Sequence, residues 1–244
     1  MNHDSNRPVV AEHDDLTIVA HADADVVLRL WGGSLGRTVR CVPSRRTLSA
    51  ALEGRDLYAK RYRTRRGADA EWRGLELLAE AGFAVPARVG LVRGRRGSMA
   101  VFAAAPGRSL DAWAVTAARE GWLDAWFGYV LAVVAPLVRR LHGCGWVHRD
   151  LNCSHLFVVD PKRRTPPALI DVERAFRPRS RRRRWVVKDL ASLLASCPVG
   201  VPDRVALRFL ARYAAGSGRR DVRRLLRAVQ QKAVRIRAHA PRFG

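Results

Sequence analysis

The stretch WVHRDLNCSHLFVVD, residues 146–160, sets a cluster of polar side chains between two apolar runs. Its polar members include His148, Asp150, Asn152 and His155. Carboxylate, imidazole and amide groups are the side chains that move protons and hold metal ions in enzymes. A loop whose only role was to be solvated would not need apolar residues on both sides. The stretch is therefore a candidate catalytic loop.

A second carboxylate is predicted to lie close to this loop. The apolar segments LFVV and ALI flank the turn-rich, basic sequence PKRRTPP, residues 161–167, and this pattern is typical of a β-hairpin. The returning strand, in LIDVERA, would bring Asp171 back towards Asp150. Two carboxylates placed in this way fit phosphoryl transfer, in which one orients the attacking hydroxyl and the other holds a metal ion on the phosphates.

Phosphoryl transfer also needs a cation on the phosphates and an acid that fixes this cation. YAKRY, residues 58–62, supplies Lys60 within a predicted strand. GADAEWRGLELLAEAGF, residues 67–83, has apolar residues at helical spacing and is predicted to form a helix. Glu71 lies in the first turns of this helix and is the candidate partner of Lys60. Glu76, in the same helix, is the alternative partner.

The composition is that of a folded and strongly basic protein. The 244 residues are 48% hydrophobic, which provides for a core and argues against a disordered polycation. A net charge of +23, mostly from arginine, favours an anionic partner such as a nucleotide, a nucleic acid, a phosphorylated lipid or a membrane face. Arginine bias in a GC-rich genome would explain the same charge without a function. The apolar run at residues 126–138 is shorter than the roughly 20 residues of a membrane-spanning helix.

The order of predicted elements divides the chain into three parts. Residues 1–24 are polar and acidic and are predicted to form a flexible tail without a signal peptide. Residues 25–107 predict a small lobe with an antiparallel sheet and one helix. Residues 108–244 predict a mostly helical lobe, with a long apolar helix over 120–142 and three amphipathic helices after the arginine run 179–184. The predicted fold class is α+β with two lobes.

Taken together, these residues resemble the protein-kinase-like fold, through HRDLNCSHLF and LIDVERA. More narrowly, the chain resembles the lipopolysaccharide kinase (Kdo/WaaP) family, which phosphorylates sugars of the lipopolysaccharide inner core. That family has a similar HRD…H loop, an ID-x-x-RA segment in place of D-F-G, and a KDLA-L helix, matched here by KDLASL at residues 188–193. The resemblance covers residues 37–237 and implies that Asp189 braces the catalytic loop from this helix.

The resemblance implies a role for each candidate residue. Lys60 would contact the α- and β-phosphates of ATP, and Glu71 would hold Lys60 in position. Asp150 would be the catalytic base for a sugar hydroxyl. His148 is included with the catalytic residues because it would shape the loop, and Asn152 would contact the transferred phosphate.

The metal site and the nucleotide-binding turn depart from the common kinase pattern. Asp171 would bind the metal ion, Mg²⁺ or Mn²⁺. His155 stands where most kinases have a metal-binding Asn, so it is either a second ligand or a loop-packing residue. No G-x-G-x-x-G precedes Lys60, and PSRRT occupies the place of the glycine-rich turn. Arg45 and Arg46 would then contact the phosphates as planar donors.

The implied acceptor is an anionic, lipid-linked sugar, Kdo or heptose, which would place the protein in the cytoplasm with peripheral contact at the inner membrane. The basic run 179–184 would attract such an acceptor, or it is a solvated loop. One alternative is a protein kinase or a small-molecule kinase of the aminoglycoside or choline type, because motif spacing does not define the acceptor. Another is a decayed kinase fold that binds anionic partners, although no nucleic-acid-binding motif is present.

Overall fold

The computed structural model describes residues 9–13, 16–20, 24–52 and 54–239. They divide into two compact units, unit 1 up to Ala105 and unit 2 from Pro106 onwards. The division lies beside the lobe boundary expected at residue 107. Unit 1 combines an antiparallel sheet with helices, and unit 2 is mostly helical. The predicted α+β class is confirmed.

The sheet of unit 1 contains seven strands within the described residues. They are β1 (Val9–His13), β2 (Leu16–Ala20), β3 (Arg37–Val42), β4 (Arg45–Leu52), β5 (Arg55–Tyr62), β6 (Arg88–Gly94) and β7 (Gly97–Ala103). Their order across the sheet is β1-β2-β6-β7-β5-β4-β3, and every neighbouring pair is antiparallel. Short turns join β3 to β4 and β6 to β7 in antiparallel hairpins.

Two helices cover opposite faces of this sheet, α1 (Ala24–Gly32) and α2 (Asp69–Glu80). Val27 and Leu30 of α1 belong to the core on one face, and Trp72 of α2 belongs to the core on the other. A Cβ atom at Gly90 of β6 would lie 2.4 Å from the Val27 side chain. Glycine at this position therefore allows α1 to pack directly on the strand.

The N-terminal part corrects the expectation of a flexible tail over residues 1–24. Residues 9–20 include β1 and β2, which pair with each other, and β2 also pairs with β6. Ile18 and Ala20 are buried and alternate with the less buried Thr17 and Val19, so β2 is a half-buried strand. The helix α1 is a second helix where only one was predicted. Residues 1–8, 14–15 and 21–23 of the expected tail lie outside the described residues.

Unit 2 joins a small sheet to six α-helices within the described residues. The sheet has the order β10-β9-β8, with β8 (Arg108–Ser109), β9 (Leu156–Val158) and β10 (Ala168–Leu169). The helices are α3 (Leu110–Arg119), α4 (Leu123–Tyr129), α5 (Ala135–Gly143), α6 (Arg182–Ala195), α7 (Asp203–Tyr213) and α8 (Arg219–His239). The predicted hairpin is confirmed, because β9 and β10 pair antiparallel.

Two helical segments differ from the sequence prediction. The long helix expected over residues 120–142 consists of α4 and α5 joined by a π-helical turn, Val130–Val134. Pro136 has no N–H to donate, and the preceding residue, Ala135, bonds back to the carbonyl of Val130. The arginine run was expected to interrupt regular structure, but α6 already begins at Arg182. Within the described chain, every helix is either too short or too polar to cross a bilayer.

Candidate active site

Lys60 and Glu71 form a buried ion pair in unit 1. Nζ of Lys60 lies 2.6 Å from Oε2 of Glu71, and the two side chains are 8% and 1% exposed. In the β5–β7 register Lys60 lies opposite Ala100, which packs beneath α2. Because side chains alternate along a strand, Lys60 points towards the helix that carries Glu71. The pairing expected from the sequence is therefore present in the structure.

Glu76, the alternative partner, has a different role. Its Oε1 lies 2.7 Å from Nη1 of Arg88, and both side chains are partly exposed. The guanidinium carbon of Arg88 lies 4.8 Å from the ring centroid of Trp72. Glu76 therefore links α2 to the start of β6, whereas Glu71 contacts Lys60 of β5.

The two arginines that were expected to replace a glycine-rich turn lie on opposite faces of β4. Thr47 is opposite Lys60 in the register, and Arg45, two residues earlier, shares that face. Arg46 is opposite Arg61, whose guanidinium lies over a tryptophan ring of α1. The period of two along a strand therefore directs Arg46 to the α1 face. Only Arg45 therefore shares a face with Lys60, which favours Arg45 over Arg46 as a phosphate contact.

The candidate catalytic loop of unit 2 is held by two consecutive residues of α6. Oδ2 of the buried Asp189 accepts the backbone N–H of His148 at 2.7 Å. Nζ of the neighbouring Lys188 donates to the backbone carbonyl of Arg149. The KDLASL segment thus binds the backbone N–H of His148 and the backbone carbonyl of the next residue, Arg149. The prediction that Asp189 braces the loop is confirmed.

His148 stabilises the loop from the interior. Its ring is stacked on that of His155, it is 1% exposed, and its Nε2 lies 3.0 Å from the carbonyl oxygen of Ile170. Burial lowers the pKa of His148, which favours the neutral ring with the proton on Nε2. The buried side chain therefore links the loop to Ile170, directly after β10, and it is not exposed to bind a substrate.

Asp150 lies at the open side of this loop. Its side chain is 37% exposed, and Oδ2 is 3.8 Å from Nη1 of Arg174. Its backbone carbonyl accepts the N–H of Asn152 at 2.9 Å and lies 2.7 Å from Nδ1 of His155. The backbone of Asp150 is thus fixed while its carboxylate remains accessible. A carboxylate held in this way can accept a proton from a hydroxyl group.

Asp171 and His155 together fit a divalent cation. Nδ1 of His155 donates to the Asp150 carbonyl, which leaves the lone pair on Nε2, and Nε2 lies 3.5 Å from Oδ2 of Asp171. The two side chains are 15% and 19% exposed. One ion could therefore contact both a carboxylate oxygen, which suits Mg²⁺ or Mn²⁺, and an imidazole nitrogen, which these ions bind less readily.

Two non-glycine residues of this region have left-handed backbones. Arg149 has φ 70° and Asp171 has φ 56°. Such conformations cost of order 1–3 kcal/mol each and are concentrated at functional sites. The hydrogen bond from Lys188 to the Arg149 carbonyl helps to offset this cost.

Sequence reasoning did not identify a cavity of about 580 Å³ whose lining includes Arg149 and Arg174. We call this cavity the cationic pocket. Its lining residues are Arg149, Arg174, Arg183, Arg184, Trp185, Val187, Lys188, Ala228 and Lys232. They come from the catalytic loop, the segment after Asp171, α6 and α8. The arginine run and KDLASL were visible in the sequence, but their convergence with α8 is a tertiary feature.

Comparison with known proteins places the chain in a kinase group. The lipopolysaccharide kinase (Kdo/WaaP) family model matches residues 45–228. A structure of WaaP in complex with acyl carrier protein has a TM-score of 0.69 and 28% identity, covering 86% of this chain and 96% of that chain. No curated protein matches.

Two aminoglycoside phosphotransferases share the fold. The aminoglycoside-3'-phosphotransferase of type VIII has a TM-score of 0.57 and 22% identity, covering 84% of this chain and 98% of that one. The phosphotransferase APH(3'')-Id from Streptomyces rimosus ATCC10970 has a TM-score of 0.59 and 16% identity, covering 85% and 96%.

The match to the Kdo/WaaP family spans most of the chain and includes every candidate site residue. It extends from the start of β4, through the Lys60–Glu71 pair and the catalytic loop, into α8. Kinases of this kind use ATP and a divalent metal ion. The chain therefore belongs to the lipopolysaccharide kinase (Kdo/WaaP) family and is an ATP-dependent kinase with the protein-kinase-like fold.

Proposed function

We propose that this protein transfers the γ-phosphate of ATP to a hydroxyl group of Kdo or heptose in the lipopolysaccharide inner core. The observation that carries the proposal is the accessible carboxylate of Asp150 on a loop whose backbone is fixed by Lys188 and Asp189. Unit 1 would bind the nucleotide, and unit 2 would bind the acceptor and the metal ion.

In unit 1, Lys60 would bind the α- and β-phosphates. The carboxylate of Glu71 limits the positions that the ammonium group can take, so less entropy is lost when the phosphates bind. Arg45 lies on the same face of the sheet and would add a planar donor for phosphate oxygens. Arg46 has no part in this proposal.

In unit 2, Asp150 would orient the acceptor hydroxyl and receive its proton. Asp171 would hold the metal ion, Mg²⁺ or Mn²⁺, with His155 as a second ligand. The bound ion would neutralise charge on the phosphates during transfer. Asn152 would contact the transferred phosphoryl group from the same loop. His148 would keep the loop in the conformation that presents Asp150.

The cationic pocket supports an anionic acceptor over an aminoglycoside. Aminoglycosides carry several protonated amino groups, and six cationic side chains would repel them. The intact Lys60–Glu71 pair and the fixed catalytic loop favour an active kinase over a decayed fold. The net charge of +23 also favours peripheral contact with the anionic cytoplasmic face of the inner membrane, where a lipid-linked acceptor would be found.

Transfer of label from γ-³²P-ATP would test the proposed function. The acceptors would be Kdo-lipid A, heptosylated core, an aminoglycoside and a generic protein, each with and without acyl carrier protein, the protein present in the WaaP structure. We expect label on one of the two lipopolysaccharide acceptors and none with Asp171→Ala. Label on the aminoglycoside or the generic protein alone would overturn the proposed acceptor class. Absence of label on every acceptor would overturn the proposed function.

A further inference from the structure

The cationic pocket carries positive charge that the protein itself scarcely neutralises. Among the residues that the structure describes, only one of the six pocket cations has a carboxylate within 4.0 Å, namely Arg174, whose Nη1 lies 3.8 Å from Asp150. Like charges gathered in one concavity raise the local concentration of anions. The pocket is therefore suited to an anionic ligand.

Contacts within unit 2 hold three of these cations, Arg149, Arg184 and Lys188. The guanidinium carbons of Arg149 and Arg184 each lie 5.4 Å from the ring centroid of Trp185. The Trp185 ring in turn packs edge-on against Phe176 at 5.3 Å. Lys188 also contacts the Arg149 carbonyl. Side chains that are held before the ligand arrives lose less entropy on binding than freely moving ones.

The burial of Lys188 also favours an anionic ligand in the pocket. Desolvation lowers the pKa of Lys188, although the charge of Asp150 acts in the opposite direction. A bound anion would offset that desolvation and stabilise the ammonium form. The pocket volume of about 580 Å³ also falls within the range of small-molecule sites.

We propose that the cationic pocket binds a carboxylate or phosphate substituent of the acceptor sugar and presents a neighbouring hydroxyl to Asp150. This inference rests on the proposed function, and it assigns acceptor recognition to Arg174, Arg183, Lys188 and Lys232. Guanidinium groups bind both kinds of anion with paired hydrogen bonds. The ligand anion competes with Asp150 for Arg174, so acceptor binding also releases the base.

The test compares Arg183→Gln/Lys232→Gln with a control, Arg179→Gln/Arg223→Gln. The control residues are exposed and belong to the same arginine run and to α8, but they do not line the pocket. Binding of a deacylated, phosphorylated Kdo oligosaccharide is measured by calorimetry without ATP. Turnover of Kdo-lipid A and of heptosylated core is measured separately, together with the KM for ATP.

We expect the pocket variant to weaken oligosaccharide binding and to raise the acceptor KM about tenfold, as the loss of two partly exposed charge contacts predicts. The KM for ATP stays within about twofold of wild type, and the control variant behaves as wild type. An oligosaccharide with its phosphates removed and one with its carboxylates esterified identify which substituent the pocket binds. The substituent whose loss weakens wild-type binding, but not binding by the pocket variant, is the recognised group.

The other outcomes distinguish a failure of the pocket proposal from a failure of the proposed function. Wild-type turnover with an unchanged acceptor KM in the pocket variant overturns the pocket proposal and leaves the proposed function intact. A rise in the KM for ATP alone assigns the pocket to the nucleotide and also overturns it. Pocket-dependent binding without any turnover overturns the proposed function and leaves the anion site. Absence of both binding and turnover overturns both.

Discussion

Two ion pairs, one in each unit, differ in length and in exposure. In unit 1, Lys60 and Glu71 are 2.6 Å apart and nearly buried. In unit 2, Asp150 and Arg174 are 3.8 Å apart, with side chains that are 37% and 45% exposed. The first pair holds a charge in one place, whereas the second is loose enough to exchange partners. In the proposed function, the buried Lys60 would position the phosphates and the exposed Asp150 would react with the acceptor hydroxyl.

The largest expected effect comes from breaking the buried pair. Lys60→Met leaves the Glu71 carboxylate buried without its main cation, and we expect the free energy of unfolding to fall by about 3–5 kcal/mol. The double variant Lys60→Met/Glu71→Gln removes both charges, so we expect it to recover part of the lost stability. ATP turnover should be abolished in both variants, because neither has the lysine that would bind the phosphates. Denaturant titration and ATP turnover measure the two effects.

A matched control is Arg88→Met, which breaks the partly exposed pair with Glu76 on the same helix. Its loss of the Trp72 contact and of the ion pair should cost no more than about 1–2 kcal/mol. If Lys60→Met were as stable as wild type, the contrast between a positioning pair and a reacting pair would be lost.

The brace from α6 should give the next largest effect. Asp189→Asn keeps an oxygen that can accept the His148 N–H but loses the charge, so we expect a loss of about 2 kcal/mol in the free energy of unfolding. Because the loop also presents Asp150, kcat should fall by about tenfold, roughly the effect of a 1.4 kcal/mol change, with little change in the KM for ATP. A fall in stability with unchanged kcat at low temperature would show that the brace does not position Asp150.

The exposed pair should give a smaller effect on stability. Arg174→Gln breaks a partly exposed contact, so its free energy of unfolding should stay within about 1 kcal/mol of wild type. The acceptor KM should nevertheless rise severalfold, because the cationic pocket loses one donor. A severely destabilised Arg174→Gln protein would contradict the view that this pair is loose.

The smallest expected effect is a pH dependence of acceptor binding. The pKa of Lys188 is lowered by burial, so this side chain loses its charge at a lower pH than an exposed lysine. The acceptor KM should therefore rise on the alkaline side, below the ordinary lysine pKa of about 10.4. Lys188→Arg should remove this rise, because arginine keeps its charge. If the acceptor KM of Lys188→Arg rose equally at alkaline pH, a group other than Lys188 would be the cause.

Local sequence patterns were sufficient to predict the hairpin and the helix with Glu71. The hairpin and this helix each depend on contacts between segments that are close in sequence. The spacing of apolar and turn residues along the chain is therefore enough to reveal them. The face of β4 that carries Arg46 could not be predicted, because it depends on strand register. The short strand Leu16–Ala20 was missed because its burial depends on pairing with β6. The cationic pocket depends on four separate segments, which no local pattern brings together.

The most direct test of the account is the Asp150→Asn variant. Nucleotide binding would be measured from the shift in melting temperature with Mg²⁺ and ATP, and phosphoryl transfer from γ-³²P-ATP to the accepted lipopolysaccharide sugar. We expect the melting shift to be retained and transfer to fall by about 100-fold to 10,000-fold, as the loss of a general base predicts. Near-wild-type transfer by Asp150→Asn would contradict the account, because the base would then lie elsewhere.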